Sequence, residues 1–252
     1  MDQSAQYGQM DFNLPHDVVS LPSKGIFYKP KKESLKVGFL TASDENLLMS
    51  QNTPKEGLIT ALLRSKIYEP GFDVNQLLDT DVQAILLFLR NTSFGSEYNF
   101  TLIDPANGKQ FTGKVLIDEI NFETIKHVPD ENGRFSFFLP KSKKNVKFKL
   151  LNIGETNEVD KIKDSYPQGV IAPIVTKKLE KHIIDIDGDT DKLKIATFIN
   201  QMPISDSKAL RKYISECEPK MDLKRTVIAP SGENVTFDVM FGVEFFRPFF
   251  SL

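Results

Sequence analysis

The chain has 252 residues, 40% of them hydrophobic and 26% charged, with a formal net charge of −2. This composition is typical of a globular protein that buries roughly 70% of its unfolded surface. The small net charge excludes a general electrostatic attraction to nucleic acid or anionic lipid. The single cysteine, Cys217, excludes an intramolecular disulfide and a cysteine-rich metal site.

Targeting signals are lacking in the sequence. No run approaches the ~20 apolar residues of a membrane span, and the N-terminus lacks the basic and apolar regions of a signal peptide. We therefore expect the chain to fold in a reducing cytoplasm, with Cys217 as a reduced thiol on an apolar helix face.

Residues 1–40 are predicted to form an N-terminal arm and a first strand, the strand covering Leu35–Leu40. Turn residues at the start of Leu21–Tyr28 are followed by three bulky apolar residues, which must be covered in the folded state. A docking arm on a neighbouring chain and a cover strand on the same domain both fit this pattern. We predict a partner interface that includes Ile26, Phe27 and Tyr28.

Residues 41–95 are predicted to be helical. A first helix opens at Thr41–Asp44, where acidic residues suit the positive end of the helix dipole. A second covers Leu58–Ile67 and a third Thr80–Arg90. In the third, Thr80 and Gln83 have capping-box spacing. Its apolar stripe is wide enough for burial on most sides.

Residues 96–153 are predicted to form an antiparallel β region. Its first hairpin pairs Tyr98–Ile103 with Phe111–Ile117 through Asp104–Gly108, where proline and Asn-Gly favour a tight turn. Apolar or alternating runs predict further strands over three segments: Leu116–Ile125, Arg134–Leu139 and Asn145–Leu151.

Residues 154–217 are predicted to return to helix, over Val159–Tyr166, Ile171–Ile186 and Leu193–Met202. A last helix is predicted with Ser205 as its N-cap and an apolar face that includes Leu210, Ile214 and Cys217. It ends at Glu218, because the residue before a proline is pushed out of the helical region.

Residues 218–252 are predicted to form a hairpin, Arg225–Ala229 with Asn234–Met240, and a phenylalanine-rich tail. We expect Phe245 and Phe246 to close the core. The remaining tail side chains, Arg247, Phe249 and Phe250, are predicted to contact a partner.

The order of arm, helices, sheet, helices and hairpin predicts an α+β fold. A helix followed by a hairpin occurs twice, at 80–117 and at 205–240. Internal duplication explains this pattern, and so does chance, because hairpins are common.

Candidate metal and phosphate sites are weak. The acidic run Asp185–Asp191 fails as a calcium loop, because Thr190 stands where the EF-hand requires glycine and Ala196 where it requires glutamate. A turn with an N-cap at Asp189 or Thr190 is the preferred interpretation.

The basic cluster is predicted to be a solvated sheet face rather than a phosphate site. The alternative is that it binds an acidic patch on a partner protein. Its members are Lys141, Lys143, Lys144, Lys147 and Lys149.

Catalytic motifs are missing. The three histidines, His16, His127 and His182, stand in no sequence relation to a nucleophile or a ligand pair. His182 is predicted to be a hydrogen-bonded core or interface residue. Without a phosphate loop, dinucleotide fingerprint, zinc-protease helix or nucleophile elbow, we predict a non-enzyme with no cofactor.

Several segments in order resemble one family. They are Leu21–Gly25 with Phe27–Tyr28, Leu40–Glu45, Leu89–Gly95 with Tyr98, Met202–Ile214 and Glu244–Phe246. This combination resembles the T4-like bacteriophage baseplate hub and hub-assembly proteins, over about residues 20 to 250. The resemblance implies a tail protein that helps build the baseplate of a contractile-tailed phage and is made in the host cytoplasm. The family includes both virion parts and assembly factors; we predict a structural component of the baseplate hub region in the virion. The resemblance implies neighbours among the hub, spike, wedge or tape-measure proteins, and leaves self-association open.

The same resemblance raises the question of zinc. In that family the two hairpins often carry Cys-Pro-x-Cys knuckles like those of zinc ribbons. The matching positions here are Asp104–Asn107 and Ala229–Gly232, which retain proline but contain no cysteine. We therefore expect no zinc. The net charge of −2 and the lack of an apolar span lead us to expect no nucleic-acid or membrane partner. The rival hypotheses are a transient assembly chaperone, a degenerate zinc-ribbon nucleic-acid binder and an unrecognised enzyme.

Overall fold

The computed structural model describes residues 15–49, 55–167, 170–241 and 245–246. Within these residues, seven α-helices alternate with small antiparallel sheets, which confirms the α+β class. The helices are α1 Ala42–Met49, α2 Lys55–Lys66, α3 Asp79–Phe94, α4 Ile153–Ser165, α5 Ile174–His182, α6 Lys192–Gln201 and α7 Ile204–Cys217. The strands are β1 His16–Ser20, β2 Ser34–Gly38, β3 Glu97–Ile103, β4 Gln110–Leu116, β5 Arg134–Phe138, β6 Asn145–Lys149, β7 Ile183–Ile186, β8 Lys224–Ile228 and β9 Asn234–Asp238.

The first hydrophobic core surrounds α3. The helix is apolar on most of its circumference, and its central residues are buried on several sides as predicted. The core also takes residues from the β1–β2 hairpin, from α1 and α2, and from the last described residues of the chain. Its α3 members are Val82, Ala84, Ile85, Leu86, Leu87 and Leu89.

The second core lies between the sheet β5–β6–β7 and the helices α5, α6 and α7. On β6, Val146 and Phe148 face inward and are fully buried, while Lys147 points to solvent. The predicted solvated lysine face is therefore confirmed for this strand. Two other lysines of the basic cluster form ion pairs: Lys144 Nζ lies 2.8 Å from Asp187, and Lys149 contacts Glu155.

The two cores meet at the start of α3. Leu77 belongs to the first core and Leu78 to the second. A backbone hydrogen bond from Ile153 N to Leu77 O, at 2.8 Å, ties the start of α4 to this point. Consecutive residues thus anchor both halves of the molecule.

Three predicted elements were wrong in extent. The helix predicted over Val159–Tyr166 is α4, which begins six residues earlier, at Ile153. The strand predicted over Leu116–Ile125 ends with β4 at Leu116, and the following loop makes only a single bridge, from Phe122 to Met221. The helix predicted over Ile171–Ile186 ends at His182. Its last four residues form β7, because β-branched isoleucines there pair with β6 and bury their side chains in the second core.

The predicted helix caps were also wrong. At α3, Thr80 lies inside the first turn and its hydroxyl donates to Pro219 O at 2.7 Å. Helix α7 begins after Pro203, which leaves Ser205 within the helix. Asp191, rather than Asp189 or Thr190, caps α6 by accepting from Leu193 N at 2.8 Å.

Truncation of Phe148 tests the second core. Phe148→Ala removes a fully buried ring stacked on Phe135, with centroids 5.4 Å apart, and leaves a cavity. We expect the free energy of unfolding to fall by about 3–5 kcal/mol in a urea titration. The matched control is Phe138→Ala, whose ring is 51% exposed at the end of the neighbouring strand. Equal losses in the two variants would contradict this placement of the core.

Candidate functional site: the paired hairpin turns and the exposed surface

The turns of the two hairpins have the same construction. Asp104 N donates to Lys109 O at 2.8 Å, and Ala229 N donates to Glu233 O at 2.8 Å. In each turn, the residue that makes this closing hydrogen bond is followed by a proline. Both of these residues are buried. Each turn also contains a glycine with positive φ, Gly108 at 70° and Gly232 at 90°, a conformation that side chains disfavour.

The hairpins pack face to face. The rings of Phe100 on β3 and Phe237 on β9 meet edge to face, with centroids 4.3 Å apart. A Cβ at Gly113 on β4 would lie 3.2 Å from Leu102 and 3.3 Å from Phe100, both on β3, and in ordinary contact, at 3.4 Å, with Val227 of the second hairpin. The predicted pair of helix–hairpin units is therefore present as α3–β3–β4 and α7–β8–β9, with the hairpins in contact.

The carboxylate of Asp104 joins the two turns. Its Oδ1 accepts from Ser231 Oγ at 2.7 Å and its Oδ2 from Ser231 N at 3.1 Å. Within its own turn, it accepts from Ala106 N at 3.0 Å and Asn107 Nδ2 at 3.2 Å. The hydrogen bond from the Ser231 hydroxyl, with these others, lowers the pKa of Asp104 below its ordinary value. We call this arrangement the turn clasp.

Zinc does not fit the turn clasp. A structural zinc site takes four ligands, mostly cysteine and histidine, and these turns supply one carboxylate and one hydroxyl in their place. Across the described parts of the chain, no group of three or more His, Cys, Asp or Glu side chains is placed to hold a metal ion. The only cysteine, Cys217, is buried in the second core.

Removal of the Asp104 charge tests the turn clasp. Asp104→Asn replaces one acceptor oxygen with a donor that faces other donors, so the thermal midpoint at pH 7 should fall below that of the wild type. Because the folded-state pKa is lowered, the clasp stabilises the protein above the ordinary carboxyl pKa, and this contribution is lost as pH falls through the lowered value. The difference in thermal midpoint between the wild type and Asp104→Asn should therefore become smaller in acid.

The control for this variant is Asp118→Asn, an exposed aspartate in the loop after β4. Its midpoint should follow the wild type at every pH. A pH-independent gap for Asp104→Asn would mean that shape, rather than the carboxylate charge, matters at this position.

Beneath the hairpins, Arg90 connects α3 to β3 and to the end of the chain. The side chain is fully buried, and its Nη1 and Nη2 donate to Gly95 O at 2.9 Å and Glu97 O at 3.0 Å. The guanidinium also lies 5.2 to 5.9 Å from the ring centroids of Phe94, Tyr98 and Phe245. Phe245 and Phe246 are buried here, which confirms that they close the core.

The segment Leu21–Tyr28 packs on its own chain. Tyr28 donates its hydroxyl proton to Asp81, and the same oxygen accepts from Leu78 N at 3.0 Å. Ser23 N also donates to Asp81, at 2.9 Å. Burial, followed by the nearby Asp81 carboxylate, raises the pKa of Tyr28 far above its ordinary value. This side chain is therefore engaged within its own chain.

The other predicted interface residues are placed differently. Ile26 and Phe27 are half-buried, and the Phe27 ring lies 6.1 Å from that of Phe135. Arg247, Phe249 and Phe250 lie outside the described residues. A partner role for these side chains stays a prediction.

Substitution of Tyr28 tests the attachment of this segment. Tyr28→Phe keeps the ring but leaves Leu78 N–H without its acceptor and removes one donor to the buried Asp81 carboxylate. We expect a loss of about 1–3 kcal/mol in the free energy of unfolding, measured by urea titration. Tyr166→Phe, at an exposed tyrosine, should change it by less than about 0.5 kcal/mol. A neutral Tyr28→Phe would contradict the hydrogen-bonded arrangement.

Apolar side chains are exposed from the residue after α4 to the first turn of α5. Ile171 is 93% exposed, and Tyr166, Val170 and Val175, which are near it in the sequence, are also exposed. Pro167 and Pro173 lie within the same stretch. Exposed apolar residues close together in the chain are candidates for protein contacts. We call these four side chains the apolar loop.

A groove lined by several titratable groups lies between α3, α5 and α7, with a volume of 340 Å³. Burial raises the pKa values of Asp79 and Glu218, and the charge of Asp79 raises that of Glu218 further. His182 also lines it, but its Nδ1 lies 2.8 Å from Lys149 O, and burial lowers its pKa. This confirms the predicted hydrogen-bonded histidine and leaves that nitrogen engaged with the backbone.

Comparison with known proteins decides the family. The family model described as "T4 bacteriophage base plate protein" matches residues 19–247. The chain belongs to this family. No curated protein and no solved structure matches it significantly. The match runs from β1 to the residue after Phe246, so it includes both hairpins and both cores.

Membership makes this chain a baseplate-related structural protein of a phage tail. None of the helices in the described residues has the length and apolarity to cross a bilayer. As a baseplate family protein, it is expected to contact other tail proteins, and its exposed apolar side chains are the first candidates for those contacts.

Proposed function

We propose that the protein is a structural component of the hub region of the baseplate and acts through protein–protein interfaces rather than through catalysis. The observation that carries this proposal is the family match over residues 19–247. Adhesion requires rigid elements that present apolar and polar groups to neighbours. The two cores, the turn clasp and the exposed apolar loop are consistent with that role.

The apolar loop is the proposed contact with a neighbouring tail protein. Its side chains gain little from their own fold, since Ile171 is almost fully exposed. Burial of such a residue in an interface contributes about 1.5–3 kcal/mol. Ile26 and Phe27 are proposed to form a second, smaller contact through the parts of their side chains that remain exposed.

The first experiment is quantitative mass spectrometry of purified virions. A structural role predicts the chain at a small, fixed copy number relative to the other tail proteins. Its absence from virions, together with abundance in infected cells, would replace this proposal with an assembly factor that leaves before the particle is complete.

The apolar loop can be tested in the same assay. Ile171→Glu should change the free energy of unfolding by less than about 0.5 kcal/mol, because the side chain is in solvent. In virions, its copy number should fall below one tenth of the wild-type value, because a charge would be buried in the contact. The matched control is Ile228→Glu, at a residue 73% exposed on the second hairpin, which should be incorporated normally. Equal incorporation of the two variants would remove the apolar loop from the interface.

A further inference from the structure

We propose that the outer face of the sheet β5–β6–β7 binds an acidic surface of another tail protein. We call this surface the basic face; it consists of Arg134 and Phe138 on β5, Lys147 on β6, and Lys143 in the turn between these strands. The proposal rests on the proposed function, in which the chain acts through protein contacts. It uses none of the residues of the apolar loop.

The alternation of side chains along the strands places these groups on one side of the sheet. Phe135 on β5 and Phe148 on β6 stand opposite each other and point into the second core. Arg134 and Lys147, one position away on each strand, therefore point outward together, and both are exposed. Phe138 lies four residues beyond Arg134 on the same side and is half-exposed. The basic face thus extends about 14 Å along β5.

The turn between β5 and β6 brings Lys143 to this surface. The buried carboxylate of Asp206, at the start of α7, holds the turn by accepting from Lys141 N at 2.8 Å and from Ser142 N at 2.7 Å. Lys143 Nζ lies 5.9 Å from the centroid of the Phe138 ring. An ammonium group is therefore held beside the exposed ring at one end of the basic face.

Two features of the basic face are unfavourable for the chain alone. Arg134 stands directly opposite Lys149 on β6, and like charges at paired positions destabilise a sheet. Lys143 has a φ of 56°, in the left-handed region that favours glycine. Backbone conformations and charge pairs that oppose local preference are found at binding sites, where function rather than folding selects them.

The cations of the basic face are available to a partner. Arg134, Lys143 and Lys147 form no ion pair with any residue in the described parts of the chain. Lys147 stands opposite Asp185 on β7, but these two side chains do not form an ion pair, so the face keeps an excess of positive charge. A partner surface with carboxylates around an apolar side chain complements this arrangement, because it pairs the cations and covers the Phe138 ring.

A protein surface is favoured over nucleic acid as the partner. The positive charge is local, since the whole chain has a net charge of −2. Asp187 and Glu155, which pair with Lys144 and Lys149, limit the basic face at its borders. A phosphate backbone that runs past the ~14 Å of this face would meet those carboxylates, whereas a compact acidic patch would not.

Zero-length crosslinking tests the contact. A carbodiimide activates a carboxylate, and a lysine amine that touches it displaces the activating group as a urea and forms an amide bond. Purified virions and extracts of infected cells are treated in this way and analysed by peptide mass spectrometry. Lys143 or Lys147 should be joined to an aspartate or glutamate of another tail protein.

Charge reversal next to these lysines gives the matched comparison. Arg134→Glu keeps both amines and removes the like-charge pair with Lys149, so its thermal midpoint should not fall. The crosslink yield per copy of the chain should nevertheless drop at least tenfold. The control is Lys192→Glu, at an exposed lysine at the start of α6, in the helix layer behind the sheet, which should leave the yield unchanged.

A second variant separates binding from folding. Lys143→Gly places glycine at a φ of 56°, so its thermal midpoint should equal or exceed that of the wild type. The crosslink from Lys147 should fall at least threefold, because one of the three cations is lost. An unchanged Lys147 crosslink in both Lys143→Gly and Arg134→Glu would overturn the proposal.

The remaining outcomes identify what fails. Crosslinks to carboxylates of a second copy, or retention of the purified protein on single-stranded DNA at physiological salt that Arg134→Glu abolishes, would assign the basic face to a different partner and overturn the proposal. No crosslink in either sample, with the chain present in virions, would overturn it and leave the proposed function standing. The expected crosslink in cell extracts, with the chain absent from virions, would support this contact and remove the structural role in the virion.

Discussion

The buried guanidinium of Arg90 makes the contacts on which the arrangement of α3, the first hairpin and Phe245 depends. It lies in the second half of α3, donates to the carbonyl oxygens of Gly95, just after α3, and of Glu97, the first residue of β3, and lies near three aromatic rings. A cation removed from water requires such partners, because its desolvation otherwise costs several kcal/mol. One side chain therefore fixes how the first hairpin leaves α3 and where Phe245 closes the chain.

The turns of the two hairpins above Arg90 are joined by hydrogen bonds. The Asp104 carboxylate accepts from both turns, and Ser231 supplies the donors from the opposite turn. Isolated two-stranded hairpins are marginally stable in water. Their face-to-face packing through Phe100 and Phe237 supplies apolar burial, and the turn clasp sets the alignment of the two turns.

The sequence predicted most of the helices and strands but few of the contacts between them. Periodicity identified α3 and β6, because burial imposes a repeat of 3.6 or 2 on the side chains themselves. It failed at Ile183–Ile186, where the same apolar residues fit a helix face and a strand; pairing with β6 decided between them. The turn clasp was missed, although Asp104 and Ala229 stand before proline at equivalent turn positions. That equivalence was the available signal.

The sequence by itself determined the α+β class, the two hairpins, the inward face of β6 and the resemblance to baseplate proteins, since each depends on local pattern or on residues in order. Only the tertiary structure decided that Tyr28 attaches to Asp81, that Thr80 binds Pro219 O rather than capping α3, and that the two turns meet. These contacts join residues 53, 139 and 127 positions apart. No local preference encodes such a pairing; it follows from how the two cores bring distant segments together.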